Sequence, residues 1–179
     1  IKGIEQFLME NKAKTIFMFG FTFIVYQHFY RELLKSSQKF DFSNSVLIHG
    51  GGWKKLISEA VDNSTFKAQL KAVCGLNRIH DYYGMVEQTG TIHMECEAGY
   101  LHTSEYSDII VRDPKDFSVS KNGEQGIIQL LSLLPLSYPG QSILTEDLGT
   151  ILGEDDCSCG RKGKYFKIYG RLKNAELRG

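Results

Sequence analysis

The sequence predicts an α/β fold in which a mixed sheet with helices is followed by a β-rich, barrel-like segment. In the first half, a short run of β-branched and aromatic residues is twice followed by helical spacing, which is the order of an α/β layer. After Gly90 the helical spacing gives way to short apolar runs separated by turn residues such as Asn122-Gly123 and Pro139-Gly140. With 179 residues, 42% of them hydrophobic, the chain can bury a sizeable core and is read as one domain or a large piece of one.

Taken in order, residues 1–14 set Ile4, Phe7 and Leu8 between charges, as the last turns of an amphipathic helix do. Residues 15–20 read as a buried strand ended by glycine, and residues 23–36 as a helix that stops at Ser-Ser-Gln. A second strand at 45–49 runs into Gly50-Gly51-Gly52 and then a short helix at 56–60, while Asn63 and Ser64 can cap a helix near 66–73. The stretch from Asp81 to Gly90 reads as the exit from a buried strand or turn into a cleft. Strands are then expected at 99–102, 108–112, 126–134, 142–145 and 165–169.

Charge and cysteine usage exclude several classes. Lysine plus arginine equals aspartate plus glutamate at 21 each, so no net field draws the chain to nucleic acid or an anionic membrane. Four cysteines are too few for a disulfide scaffold, and the start carries no signal-peptide pattern, so a cytoplasmic location is expected. The apolar run at 16–26 is well short of the roughly 20 residues a membrane span needs. Beginning at Ile1 and stopping at Gly179 just after a polar-charged motif, the sequence is read as a fragment of a longer protein.

Candidate site residues fall in separate stretches. Gly84 permits close approach of a bound group to the backbone, and Glu87 places a carboxylate beside it; a tight turn with a solvated glutamate is the other reading. Gly50, Gly51 and Gly52 follow a strand without the G-x-x-x-x-G-K-[ST] pattern. They either let a flat ring lie against the backbone or form a plain strand-to-helix turn. Asp147, expected in a strand-ending turn between Leu144 and Gly149, has two acceptor oxygens for the two hydroxyls of a ribose. Arg171, after Gly170, offers a fixed donor fork; alone, either residue reads as a surface charge.

Cys96, Cys157 and Cys159 with one histidine make a complete tetrahedral set for a structural Zn²⁺. His102, five residues beyond Cys96 across the Ala98-Gly99 turn, is one candidate nitrogen ligand, and His49, His80 and His93 are others. Buried free thiols with a surface imidazole are the alternative, and Cys74, inside a helical run, is read as a core thiol.

The series Tyr83-Gly84-Met85-Val86-Glu87, Thr145-Glu146-Asp147-Leu148-Gly149 and Gly170-Arg171-Leu172-Lys173 resembles the aromatic-Gly-x-x-Glu, T-x-D and G/D-R-x-K/D signatures of the adenylate-forming superfamily of acyl and aryl ligases and luciferase. Within it, His49 to Lys55, Ser137 to Gly140 and Gly170 to Gly179 look like the acyl-protein synthetases of bacterial bioluminescence-type fatty-acid reductase complexes. Phenylacetate-CoA ligases are similar at Glu95-Cys96 to His102 and at Cys157 to Arg161, and this likeness favours His102 as the nitrogen ligand.

The resemblance implies the C-terminal part of the large domain of an adenylate-forming enzyme. Residues 1–95 would be its α/β part, 96–170 the β-rich part with the zinc site, and 171–179 a hinge and the start of a C-terminal region. It implies that Gly50 to Gly52 and Tyr82, Tyr83 and Gly84 border the adenine and the acyl-adenylate. Glu87 would hold Mg²⁺ near the phosphates of ATP, Asp147 and Arg171 the ribose, and Lys173 the hinge. The implied function is activation of a long-chain fatty acid as acyl-adenylate and its transfer to a protein cysteine, with acyl-reductase and acyl-transferase proteins as partners. An acyl- or aryl-CoA ligase and a non-catalytic, zinc-stabilised interaction module are the alternatives.

Overall fold

The computed structural model describes residues 3–12 and 14–172, apart from the side chain of Lys55. The chain divides into two compact units between Asp81 and Tyr82; the expected division at 95/96 falls inside the second.

The first unit holds α1 (Ile4–Glu10), β1 (Ile16–Phe21), α2 (Thr22–Ile24), a π-helical segment (Val25–Tyr30), α3 (Arg31–Lys35), β2 (Ser45–Gly50), a 3₁₀ segment (Lys54–Glu59) and α4 (Asn63–Cys74). β1 and β2 are parallel, in register from Ile16 opposite Ser45 to Phe21 opposite Gly50, and β3 (Arg78–Tyr83) lies on the other side of β2. Phe66, Leu70 and Cys74 recur every fourth residue of α4 and form its buried stripe, packing with Val25, Leu33, Phe42 and Leu47. Asp62 starts that helix by accepting from the Thr65 amide at 2.8 Å, and Gly75, at φ 72°, ends it in a conformation that glycine adopts without a steric penalty. Cys74 is buried and donates to the Leu70 carbonyl, as expected of a core thiol.

Four stretches up to the end of β3 differ from expectation. β1 is covered on one face only: Phe17 and Phe19 remain 63% and 61% exposed, because the run alternates as a half-buried strand does. The helix at 23–36 contains the π-helical segment, and the short helix at 56–60 is a 3₁₀ segment with a kink at Leu56. Asp81 to Tyr83, expected in a loop, form the end of β3, where aromatic side chains suit a pleated surface.

In the second unit Tyr82 and Tyr83, still in β3, pair antiparallel with β4 (His93–Met94). A five-stranded antiparallel sheet follows, in the order β5 (Leu101–His102), β9 (Lys164–Arg171), β8 (Ser142–Glu154), β7 (Gly126–Ser132), β6 (Ser107–Arg112). Ile109, Val111, Ile128, Leu130, Ile151 and Phe166 face inward and make its core. β8 runs far past the expected 142–145, so Asp147 stands inside a strand and not in a turn. Pairing with β7 on one side and β9 on the other satisfies the backbone of this polar stretch. β8 and β9 are out of step by one residue at a bulge: Gly149 opposes Ile168, Leu148 opposes Gly170, and Asp147 opposes Arg171.

Candidate functional site

The bulged end of the β8–β9 ladder brings three of the expected site residues together. Tyr83 donates its hydroxyl to Asp147 Oδ2 at 2.6 Å, and Arg171 Nε stands 3.7 Å from Asp147 Oδ1. The Asp147 amide donates to Thr145 Oγ1 at 3.0 Å while that hydroxyl donates to the Ile128 carbonyl at 2.8 Å, so the carboxylate rises from a locally fastened backbone. The side chain of Asp147 is only 15% exposed, against 54% for Arg171. Burial, and next the adjacent Asp147 charge, push the Tyr83 phenol well above its ordinary range. Tyr83 is therefore a donor at neutral pH and Asp147 a fixed acceptor with one oxygen already used.

The turn between β3 and β4 is held by contacts that the sequence did not disclose. Gln88, on the 3₁₀ turn Val86–Gln88, is fully buried and donates to the Gly140 carbonyl at 2.9 Å. Tyr138 accepts from the Thr89 amide at 3.0 Å, and Thr91 donates to Ser132 at 2.6 Å. Tyr138-Pro139-Gly140 thus clamps this turn as well as opening β8. Glu87, one residue before Gln88, is exposed. A Cβ at Gly84 would stand 3.1 Å from the Thr91 carbonyl, so the chain's own packing accounts for that glycine.

Gly50, Gly51 and Gly52 lie in the first unit at the end of β2. Gly51 has φ 77°, and a Cβ there would meet the Phe21 ring at 3.4 Å. Beside it is a cavity of about 180 Å³ lined by Thr22, His49, Trp53, Phe66 and Asp81. Thr22 Oγ1 donates to the Gly50 carbonyl at 3.1 Å, which leaves it to accept from His49 Nδ1 at 3.0 Å. His49 Nε2 is buried without a hydrogen-bond partner. Burial, with the Lys67 and His80 charges behind it, pushes His49 down to about 4, so the ring is neutral at pH 7.

Cys96, His102, Cys157 and Cys159 converge in the second unit, their ligand atoms all within 4.8 Å of one another. Cys96 Sγ is 4.0 Å from Cys157 Sγ, and Cys159 Sγ is 3.5 Å from His102 Nε2. Two turns deliver the thiols, closed by the Gly99 amide on the Cys96 carbonyl and the Gly160 amide on the Cys157 carbonyl, each at 2.9 Å. The Arg161 amide donates to Cys159 Sγ at 3.4 Å. Burial pushes the Cys157 thiol up to about 11. At Cys159 burial acts the same way but is outweighed by the Arg161 amide and the neighbouring thiols, so that thiol falls below its usual value. These four residues form a set able to hold a metal ion. Of the competing histidines, His49 and His80 belong to the first unit, and His93 turns its Nδ1 to the His102 carbonyl.

The profile of the family described as "Acyl-protein synthetase, LuxE" matches residues 2–179. The chain belongs to this acyl-protein synthetase family. It is 25% identical over 177 residues to the long-chain-fatty-acid–luciferin-component ligase of Vibrio harveyi, an alignment that covers 96% of this chain and 45% of that protein. The chain therefore spans about half the length of that relative.

Solved structures share its fold. An open 2-hydroxyisobutyryl-CoA ligase superimposes with a TM-score of 0.71 at 17% identity, over 97% of this chain and 38% of that one. For a long-chain-fatty-acid-CoA ligase of Archaeoglobus fulgidus the figures are 0.63, 15%, 92% and 36%. A luciferase-like enzyme of the mealworm Zophobas morio gives 0.60, 14%, 96% and 42%. The architecture is that of part of an adenylate-forming enzyme, as the sequence signatures imply. Lys173, the expected hinge, lies outside the described residues.

Proposed function

We propose that the whole protein activates a long-chain fatty acid with ATP and passes the acyl group to a cysteine of a protein. Family membership supports this reading, and the assembly of Tyr83, Asp147 and Arg171 is the observation that carries it to these residues. A carboxylate oxygen of the fatty acid attacks the α-phosphorus of ATP, pyrophosphate leaves, and an acyl-adenylate remains. A thiol sulfur then attacks the acyl carbon and AMP leaves. Asp147 accepts hydrogen bonds from the ribose hydroxyls through the oxygen that Tyr83 does not use, and Arg171 adds donors to the same sugar. Gly50 to Gly52 and Tyr82 to Gly84 border the adenine and the adenylate.

Two anions meet in the first step, so cationic donors are needed where charge accumulates. Mg²⁺, held by Glu87, would supply that neutralisation. Lys173 serves as the hinge between the two half-reactions. Acyl-reductase and acyl-transferase proteins are the proposed partners, and the cytoplasm the proposed location; among the described residues no helix is long and apolar enough to cross a membrane.

For the Cys/His cluster we propose a structural Zn²⁺. Thiolates about 2.3 Å from a tetrahedral zinc stand about 3.8 Å apart, and a thiolate and an imidazole about 3.5 Å apart. The spacings of 4.0 and 3.5 Å match that geometry. Four protein ligands leave no position for water, so the ion would staple the sheet and take no part in catalysis.

Fatty-acid-dependent exchange of label between pyrophosphate and ATP by the whole protein tests the first step. No exchange would leave the non-catalytic module as the reading. Hydroxylamine-labile acyl-protein formed without coenzyme A tests the second step, and a strict need for coenzyme A would make the protein a CoA ligase instead.

A further inference from the structure

His93 is fully buried in the second unit, and the chemistry proposed above does not use it. Its Nδ1 lies 3.3 Å from the backbone oxygen of His102. A carbonyl only accepts, so Nδ1 carries the proton and the tautomer is fixed. That carbonyl belongs to the residue whose Nε2 faces Cys159 in the Cys/His cluster. The His93 ring lies 27° from parallel with the Tyr83 ring at a centroid distance of 6.1 Å. Phe166 meets both rings nearly at right angles, 5.3 Å from His93 and 6.4 Å from Tyr83. A leucine would fill such a position without the desolvation cost of an imidazole. What the imidazole adds is a plane whose orientation is set by a hydrogen bond.

We propose that His93 is a positioning residue for nucleotide binding: anchored to the His102 carbonyl, it backs the Tyr83 ring and so sets the Asp147 carboxylate that receives the ribose. The proposal rests on the ribose reading of Asp147. The contacts are continuous from Cys159 through His102, His93 and Tyr83 to Asp147, all within one unit. Tyr83 donates to Asp147 at 2.6 Å, so a tilt of its ring moves the donor and the carboxylate follows. Geometry-setting partners of this kind change function about tenfold or more when replaced.

The test compares the affinity of the whole protein for ATP and for 2′,3′-dideoxy-ATP, which lacks both hydroxyls that Asp147 would accept from. The wild type is expected to prefer ATP, and Asp147→Ala to abolish the preference. His93→Leu is expected to weaken ATP about tenfold and to leave dideoxy-ATP unchanged. His93→Asn, which keeps a donor near the Nδ1 position, should restore the preference. His93→Gln stays polar but moves its donor off that position, and it should lose the preference even where leucine prevents folding. Equal loss for both nucleotides, or a full preference retained in the leucine and glutamine variants, overturns the positioning role while the ribose reading stands. A wild type that binds the two nucleotides equally overturns both.

Discussion

Tyr83 Oη and Asp147 Oδ2 are 2.6 Å apart across 64 residues of sequence, joining the end of β3 to the interior of β8. Replacing Asp147 by alanine removes the proposed acceptor of the ribose hydroxyls and strands a half-buried phenol. Hydrogen bonds to a charged group contribute roughly 1.5 to 3 kcal/mol each, so Asp147→Ala in the whole enzyme should weaken ATP by tenfold or more. Isothermal titration with ATP checks this, and an unchanged affinity would remove Asp147 from the site.

In the whole protein, Lys173→Pro is expected to spare adenylation and impair thiol transfer, because proline locks φ at the proposed hinge. Pyrophosphate exchange and acyl-protein formation are measured on the same preparation. Equal loss of both would indicate a folding or binding defect and not a hinge.

Cys157→Ser should release the metal and lower the melting temperature, since the binding energy of a structural zinc is largely folding energy. Metal analysis of the purified protein and thermal unfolding with and without chelator provide the readout. Absence of zinc in the wild type, or a variant that melts like it, would refute the staple.

His49 gives stability a pH dependence whose sign follows from its burial. Its value in the folded protein is about 4, against 6.5 for an ordinary histidine. Between those values the unfolded chain takes up a proton that the native state does not. Stability contributed by the neutral ring is therefore intact above pH 6.5 and declines as pH falls toward 4, by about 3 kcal/mol in total. Urea midpoints at pH 7 and pH 5 should show the drop in the wild type and a smaller one in His49→Asn.

The sequence exposed some of this architecture and concealed the rest for physical reasons. Alternation of strand and helix made the α/β layer of β1 and β2 legible, and donor chemistry grouped Cys96, Cys157 and Cys159 with one histidine, which only the family likeness narrowed to His102. The convergence of Tyr83, Asp147 and Arg171 was legible only through the order of family signatures, because no local rule relates residues so far apart. Thr145-Glu146-Asp147-Leu148-Gly149 reads as a turn by composition, yet it is strand: Thr145 faces inward with a hydroxyl already bonded, and Glu146 points outward. His93 was legible only as one possible metal ligand, since a lone histidine in a short run announces neither its burial nor its tautomer. Gln88 was hidden in the same way, because its partner is a carbonyl at Gly140.

The bulge between β8 and β9 makes this end of the molecule a matter of counting. Gly149 opposes Ile168, but one step further Leu148 opposes Gly170, so Tyr169 is the supernumerary residue. Without that bulge Tyr169 would stand opposite Leu148, Gly170 opposite Asp147 and Arg171 opposite Glu146. Every side chain that the site needs would still be encoded, with a more regular sheet beneath it, and the arginine would be on the wrong rung. Deleting Tyr169 would mend the ladder with Arg171 still opposite Asp147, and Tyr169→Ala keeps the count, so both should leave nucleotide affinity nearly intact. At this position the pairing of two strands, and not their composition, decides which rung the arginine occupies.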